Sequence, residues 1–305
     1  MTEREVHMRR CIALAAASIT ACSGGLTGYQ KAAMQFGSSA SAGATAARDV
    51  AGVAGEACRM TAPLHAAHAR SWPDGARSAR DPGLLPTKVR RAGGEVSFTW
   101  RDRCARLAEY DKAIVGALLV LDAYASALKA AATRDRAAVE TDLTAAKVTD
   151  AVELAQELRS SALIRARELS EPMWALARIS QDLVRRREIE PAVRRAERPV
   201  KTILLGVEEY LATAKEYVVD GQRSAHRPAE GGGAAPDVDL AKLQVLDERI
   251  GATAGLAREL DEAHAHLVEG AEARVPEDQV REFVSKKAEA IVRQVNVLRK
   301  LSARG

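Results

Sequence analysis

Apolar residues recur at steps of three and four along most of this chain. The clearest run is Leu107, Tyr110, Ile114, Leu118, Leu121, Ala125 and Leu128, which places one greasy stripe on a helix. A break is expected near Thr133-Arg134-Asp135, followed by a second periodic stretch through Val139, Leu143, Val148, Val152, Leu154 and Leu158. Upstream, Tyr29 to His68 is rich in Ala, Gly and Ser, with Val50, Val53, Ala57, Met60 and Leu64 as a looser stripe. It predicts one helix, weakest before Arg48, because Gly37 and Gly43 each cost about 1 kcal/mol against Ala. Ser97 is placed to cap the helix that begins the clearest run.

Ser170-Glu171-Pro172 reads as a helix restart, since proline is tolerated in a first turn. Met173, Leu176, Ile179, Leu183 and Ile189 follow, and Pro191 and Pro199 predict kinks or short connections. The stripe returns at Ile203, Val207, Tyr210, Leu211, Ala214 and Val218. A further helix is marked by Leu240, Leu243, Leu246, Ile250, Leu256, Leu260 and Leu267, and a last one by Val280, Val284, Ala288, Ile291, Val295, Leu298 and Leu301. Two segments break the pattern. Residues 70–96 hold Pro73, Pro82 and Pro86 with several glycines, and predict a long loop. His226 to Asp237 contains Gly231-Gly232-Gly233 and predicts a linker around 226–237. No alternating strand pattern bounded by hairpin turns stands out. Each helix shows a single apolar face that needs a neighbour. The expected fold is therefore all-α: one elongated antiparallel bundle of five to seven helices over 29–305, with coiled-coil-like packing.

Composition fits long helices, with aromatics at 4% and charged residues at 28%. The net charge of +4 is too near balance for a nucleic-acid signature. Charge is instead clustered. One basic cluster lies in the 70–96 loop. The other spans 184–201, with Arg185, Arg186, Arg187, Arg194, Arg195 and Arg198 against Glu188, Glu190 and Glu197. Neither interleaves stacking aromatics, so nucleic acid is not an expected partner. A solvated face with local ion pairs explains such a run; contact with an anionic envelope component is the sharper reading.

The N-terminus adds an address. Arg9 and Arg10 precede an apolar run from Cys11 to Thr20, too short to cross a bilayer as a helix, and Ile19-Thr20-Ala21-Cys22 closes it. This boundary resembles the lipobox of bacterial lipoproteins, with Ile19 where Leu is commoner and Met8 as an alternative start. The resemblance implies that residues 1–21 are a signal peptide, that Cys22 is acylated by fatty acids such as palmitate, and that residues 22–28 form a lipidated tether. It implies a membrane anchor in the bacterial cell envelope. Ser23, where an Asp would favour the inner membrane in that family, points to the outer membrane with the body facing the periplasm. With Cys11 and Cys22 so assigned, Cys58 and Cys104 remain. In an oxidising compartment they suggest one disulfide; two buried free thiols are the alternative.

Catalytic chemistry finds no foothold. His65 and His68 are three apart and His264 and His266 two apart, which is short of the three or four ligands a metal site wants, and both pairs are expected at the solvated surface. No nucleophile elbow, phosphate loop or zinc-protease motif occurs. The expectation is a non-enzymatic envelope lipoprotein without metal or cofactor, acting as an interaction or structural module toward an unidentified envelope protein or anionic component. The alternatives are a membrane-active, toxin-like helical bundle and a periplasmic metal-responsive sensor or chaperone.

Overall fold

The computed structural model describes residues 26–67, 88–91, 94–97, 100–133, 138–158, 164–225 and 239–304. Eight helical segments are described: α1 (Gly28–Arg48), α2 (Val53–Ala67), α3 (Trp100–Ala132), α4 (Ala138–Leu158), α5 (Ile164–Arg186), α6 (Ile189–Ala225), α7 (Leu240–Ala271) and α8 (Glu277–Ser302). The class is all-α, as the periodicity requires. The expected first helix is two pieces, α1 and α2, separated at 49–52 where Gly52 takes φ 117°; this split raises a seven-helix layout to eight segments.

α3 is the centre. Leu107, Ala113, Ile114, Ala117, Leu118, Val120, Leu121, Tyr124 and Leu128 are all buried, on every side of the helix. A helix that is apolar all round belongs inside. Leu107–Ala132 is long and apolar enough to cross a membrane, yet 78% of its most apolar window is buried against other helices. α8 behaves differently. Val280, Val284, Ile291, Val295 and Leu298 are buried, while Val292 and Val297 on the other side are exposed. All eight helices reach one continuous core.

The directions of packing follow from paired residues. α1 runs antiparallel to α3, with Gly37 against Ala125 and Lys129 and Ser41 bonded to Asp122. A Cβ on Gly37 would lie 2.6 Å from the Ala125 carbonyl oxygen, so only glycine admits this close approach. α3 and α4, α5 and α6, α6 and α7, and α7 and α8 are antiparallel neighbours; Gly116 meets Leu154 and Leu158, Leu169 meets Gly206, Lys215 pairs with Asp247, and Gly255 meets Gln294. Two pairs are parallel. α8 follows α1, with Gly28 beside Glu277 and Gly43 beside Ile291. α2 follows α6, with Ala54 bonded to Tyr210 and Thr61 against Gly221.

Several sequence expectations change. Pro172 lies inside α5 and Pro199 inside α6, which run through without a break. The cost of an interior proline, about 3 kcal/mol, is outweighed by apolar faces buried on both sides of it: Leu169, Met173 and Leu176 around one, Ala196, Val200 and Ile203 around the other. Pro191 sits in the first turn of α6, where proline fits. The 70–96 region carries a two-stranded antiparallel hairpin, Lys88–Arg91 paired with Gly94–Ser97 in the register Val89↔Val96. Ser97 is thus a strand residue paired with Lys88, not the cap of α3. Of the segment 22–28 expected to be a tether, residues 26–28 belong to the folded body, because Thr27 caps α1 through a reciprocal box with Gln30 and Leu26 packs on the core.

Candidate functional site

α1, α6 and α8 all start, and α3, α5 and α7 all finish, at one end of the bundle. Tyr29 shows the convergence. Its N–H donates to Glu277 of α8 and its hydroxyl donates to the Leu267 carbonyl of α7. Its pKa is raised, first by burial and then by Glu190 at the start of α6, with Arg194 acting the other way. The α5–α6 turn therefore sits at the same end as the first described residues.

That turn carries the basic cluster. Arg185 and Arg186 close α5, and Arg187 follows with φ 60°, its N–H donating to the Leu183 carbonyl. All three are exposed, as is Arg194 one turn into α6. Among the described residues no carboxylate lies in ion-pair range of these four. Arg195 is different: its guanidinium is 3.0 Å from Asp182. Arg198 is different again, lying farther along α6 in a cleft of 310 Å³ shared with Glu168, Glu171 and Pro172. The structure thus splits the six arginines into a free group of four, one paired and one displaced.

Cys58 and Cys104, 46 positions apart, form a disulfide linking α2 to α3. It closes the segment that bears the hairpin, and Cys58 is fully buried. Cys22 lies outside the described residues, as does His68 and the 226–237 linker.

The burial of three polar sites could not be read from the sequence, and for His264 it overturns the expectation of a solvated surface. Tyr210 donates to Asp111 at 2.6 Å and accepts from the N–H groups of Gly52 and Ala54. Asp111 also accepts from Gly55, and burial raises its pKa against these bonds and Arg59. Together they satisfy the orphan amides at the start of α2, a cap supplied from two other helices. Asp122, buried in α3, accepts from Ser41 and Lys147, with Arg48 at 3.7 Å. His264 is the third. It is fully buried rather than solvated, bonded to the Tyr124 hydroxyl at 3.1 Å and set against Phe36, and burial pushes its pKa down to about 3. His266 faces outward, stacked on Phe283 and paired with Glu269. No sequence signal separates a core histidine from a surface one two residues away; only the neighbours do.

Each of these buried groups is hydrogen-bonded within the protein. The Tyr124–His264 pair is enclosed by side chains, so no substrate reaches it. Asp111 and Tyr210 hold backbone amides. Among the described residues no group of three or more His, Cys, Asp or Glu side chains could hold a metal ion. Among the described residues, Arg185, Arg186, Arg187 and Arg194 gather exposed positive charge around the α5–α6 turn. No family model matches this chain, and no curated protein or solved structure matches it.

Proposed function

We propose that this protein is a lipid-anchored helical lipoprotein of the bacterial envelope, attached through Cys22 and facing the periplasm from the outer membrane. It acts without catalysis, as an interaction or structural module. The lipobox-like Ile19-Thr20-Ala21-Cys22 supports the anchor. The observation that carries the compartment is the Cys58–Cys104 disulfide, since such bonds persist in oxidising surroundings and are rare in the cytosol. A body whose core spans all its helices gives reach and rigidity beyond the anchor. Several acyl chains on one residue hold firmly, because each buried CH₂ contributes about 0.8 kcal/mol.

Intact mass and N-terminal peptide mapping of protein purified from membranes tests this. The expected result is a chain beginning at Cys22 with added acyl mass, and Cys58 and Cys104 oxidised to each other. An unmodified leader on protein recovered from the cytosol, with both thiols free, overturns the anchor and the compartment together.

A further inference from the structure

We infer that the α5–α6 corner is a membrane-docking surface that binds the anionic head groups of the bilayer to which Cys22 is attached. The inference rests on the lipoprotein reading for its geometry and adds a second contact to it. Leu26 packs on the core and Thr27 caps α1, so four residue steps separate Cys22 from the folded body. Such a span reaches at most about 14 Å when fully extended. The end bearing Thr27 is therefore held close to the head groups, and the start of α6 lies at that end because α6 runs antiparallel to both α5 and α7, α7 being bonded to Tyr29 through its Leu267 carbonyl. Arg185, Arg186, Arg187 and Arg194 are exposed there without a carboxylate partner among the described residues.

The same end also carries acids, and their engagement decides the sign of the surface. Glu272 pairs with Arg274, Glu277 accepts the Tyr29 N–H, and Asp182 holds Arg195. Their charge is partly answered inside the protein. The arginines' charge is not, apart from Glu188 and Glu190 beside them in sequence. Guanidinium groups suit phosphate because their donors form a planar fork. Their pull reaches about 10 Å at moderate salt, within the tether's range. One short tether plus a basic patch makes a two-point attachment, which restrains the tilt of the bundle on the membrane.

The test uses the chain from residue 22 with Cys22→Ser, which keeps every described residue and carries no acyl chain or leader. Sedimentation with phosphatidylglycerol/phosphatidylethanolamine vesicles is compared with phosphatidylcholine vesicles. Binding to the anionic vesicles alone, weakened by salt, is expected. R185E/R186E/R187E should reduce it about a hundredfold or more, given the pull of each basic residue near an anionic surface. R293E/R299E/K300E on α8 changes net charge equally and should retain most binding. Thermal unfolding confirms that both variants are folded. Equal binding to both vesicle types, no binding, or equal loss in the two variants overturns the corner as a lipid site. The experiment needs no acylation, so its failure leaves the mass result on Cys22 standing, and the reverse.

Discussion

The two ends of this bundle are built by different means. At the end where α1 starts, the described connections are short and closed by the backbone. The α5–α6 turn occupies 187–188 and uses Arg187 in the left-handed region. The α7–α8 turn occupies 272–276. There Ala273 at φ 55° places its N–H on the Gly270 carbonyl and that of Arg274 on Glu269, a Schellman closure with alanine where glycine is usual. At the other end, long segments join α2 to α3 and α6 to α7, and order comes from side chains far apart in sequence. The Cys58–Cys104 disulfide, the Tyr210–Asp111 cap and the Lys242–Glu56 pair all tie α2 to its surroundings. The closure entropy of a loop grows with its length. Short turns can hold an end by local caps alone, whereas long loops call for cross-links.

Breaking the disulfide should separate the two ends most sharply. Cys58→Ala/Cys104→Ala is expected to cost about 4 kcal/mol in the chain-entropy model, read from urea unfolding. Amide exchange should quicken in α2 and at the start of α3 and stay slow through α7 and α8; uniform quickening would mean that the ends are not distinct. Tyr210→Phe leaves the Gly52 and Ala54 amides and the Asp111 carboxyl short of a partner. Its expected cost is about 3 kcal/mol, from roughly 1–3 for each unsatisfied buried group, and a change below measurement error would refute the clamp.

At the opposite end His264 supplies a pH dependence. The unfolded chain takes up a proton near the ordinary histidine value of 6.5, and the folded protein refuses it until about pH 3. Stability should therefore fall as pH drops from 6.5 toward 3, by at most about 1.4 kcal/mol per unit from this group. Asp111, whose folded pKa is raised, works in the opposite direction, so the comparison is with His264→Gln measured over the same range. The variant should lose the histidine slope; parallel curves would contradict a neutral buried imidazole. The smallest effect belongs to Ala273→Gly, which relieves a left-handed alanine. A gain of about 0.5–1 kcal/mol is expected in the same unfolding assay.

Much of the fold was legible because amphipathic periodicity is a local record of burial. The stripes through Leu107–Leu128, Val139–Leu158 and Leu243–Leu267 each lie in a described helix, and the break at Thr133 falls where α3 stops. Proline misled, since propensity counts the missing donor at Pro172 and Pro199 and omits the packing on either side. The hairpin escaped because its strands are four residues long, too short for alternation to register. The disulfide was one of two readings that the sequence left open for Cys58 and Cys104, the other being two buried free thiols. The Tyr210–Asp111 cap was not legible, because its partners are 99 positions apart and neither stands out in its own stretch.

By itself the amino-acid sequence determined which faces are apolar and that positive charge gathers around Arg185 to Arg198. Those are properties of neighbours along a chain. The tertiary structure alone decided that His264 is enclosed while His266 faces outward, that Asp122 is answered by Lys147, that Arg195 is paired while Arg185 to Arg187 are free, and that the basic turn shares an end with Thr27. Each depends on which helices meet and in which direction, and that is set by the packing of whole apolar faces against one another, where no single stretch holds both partners.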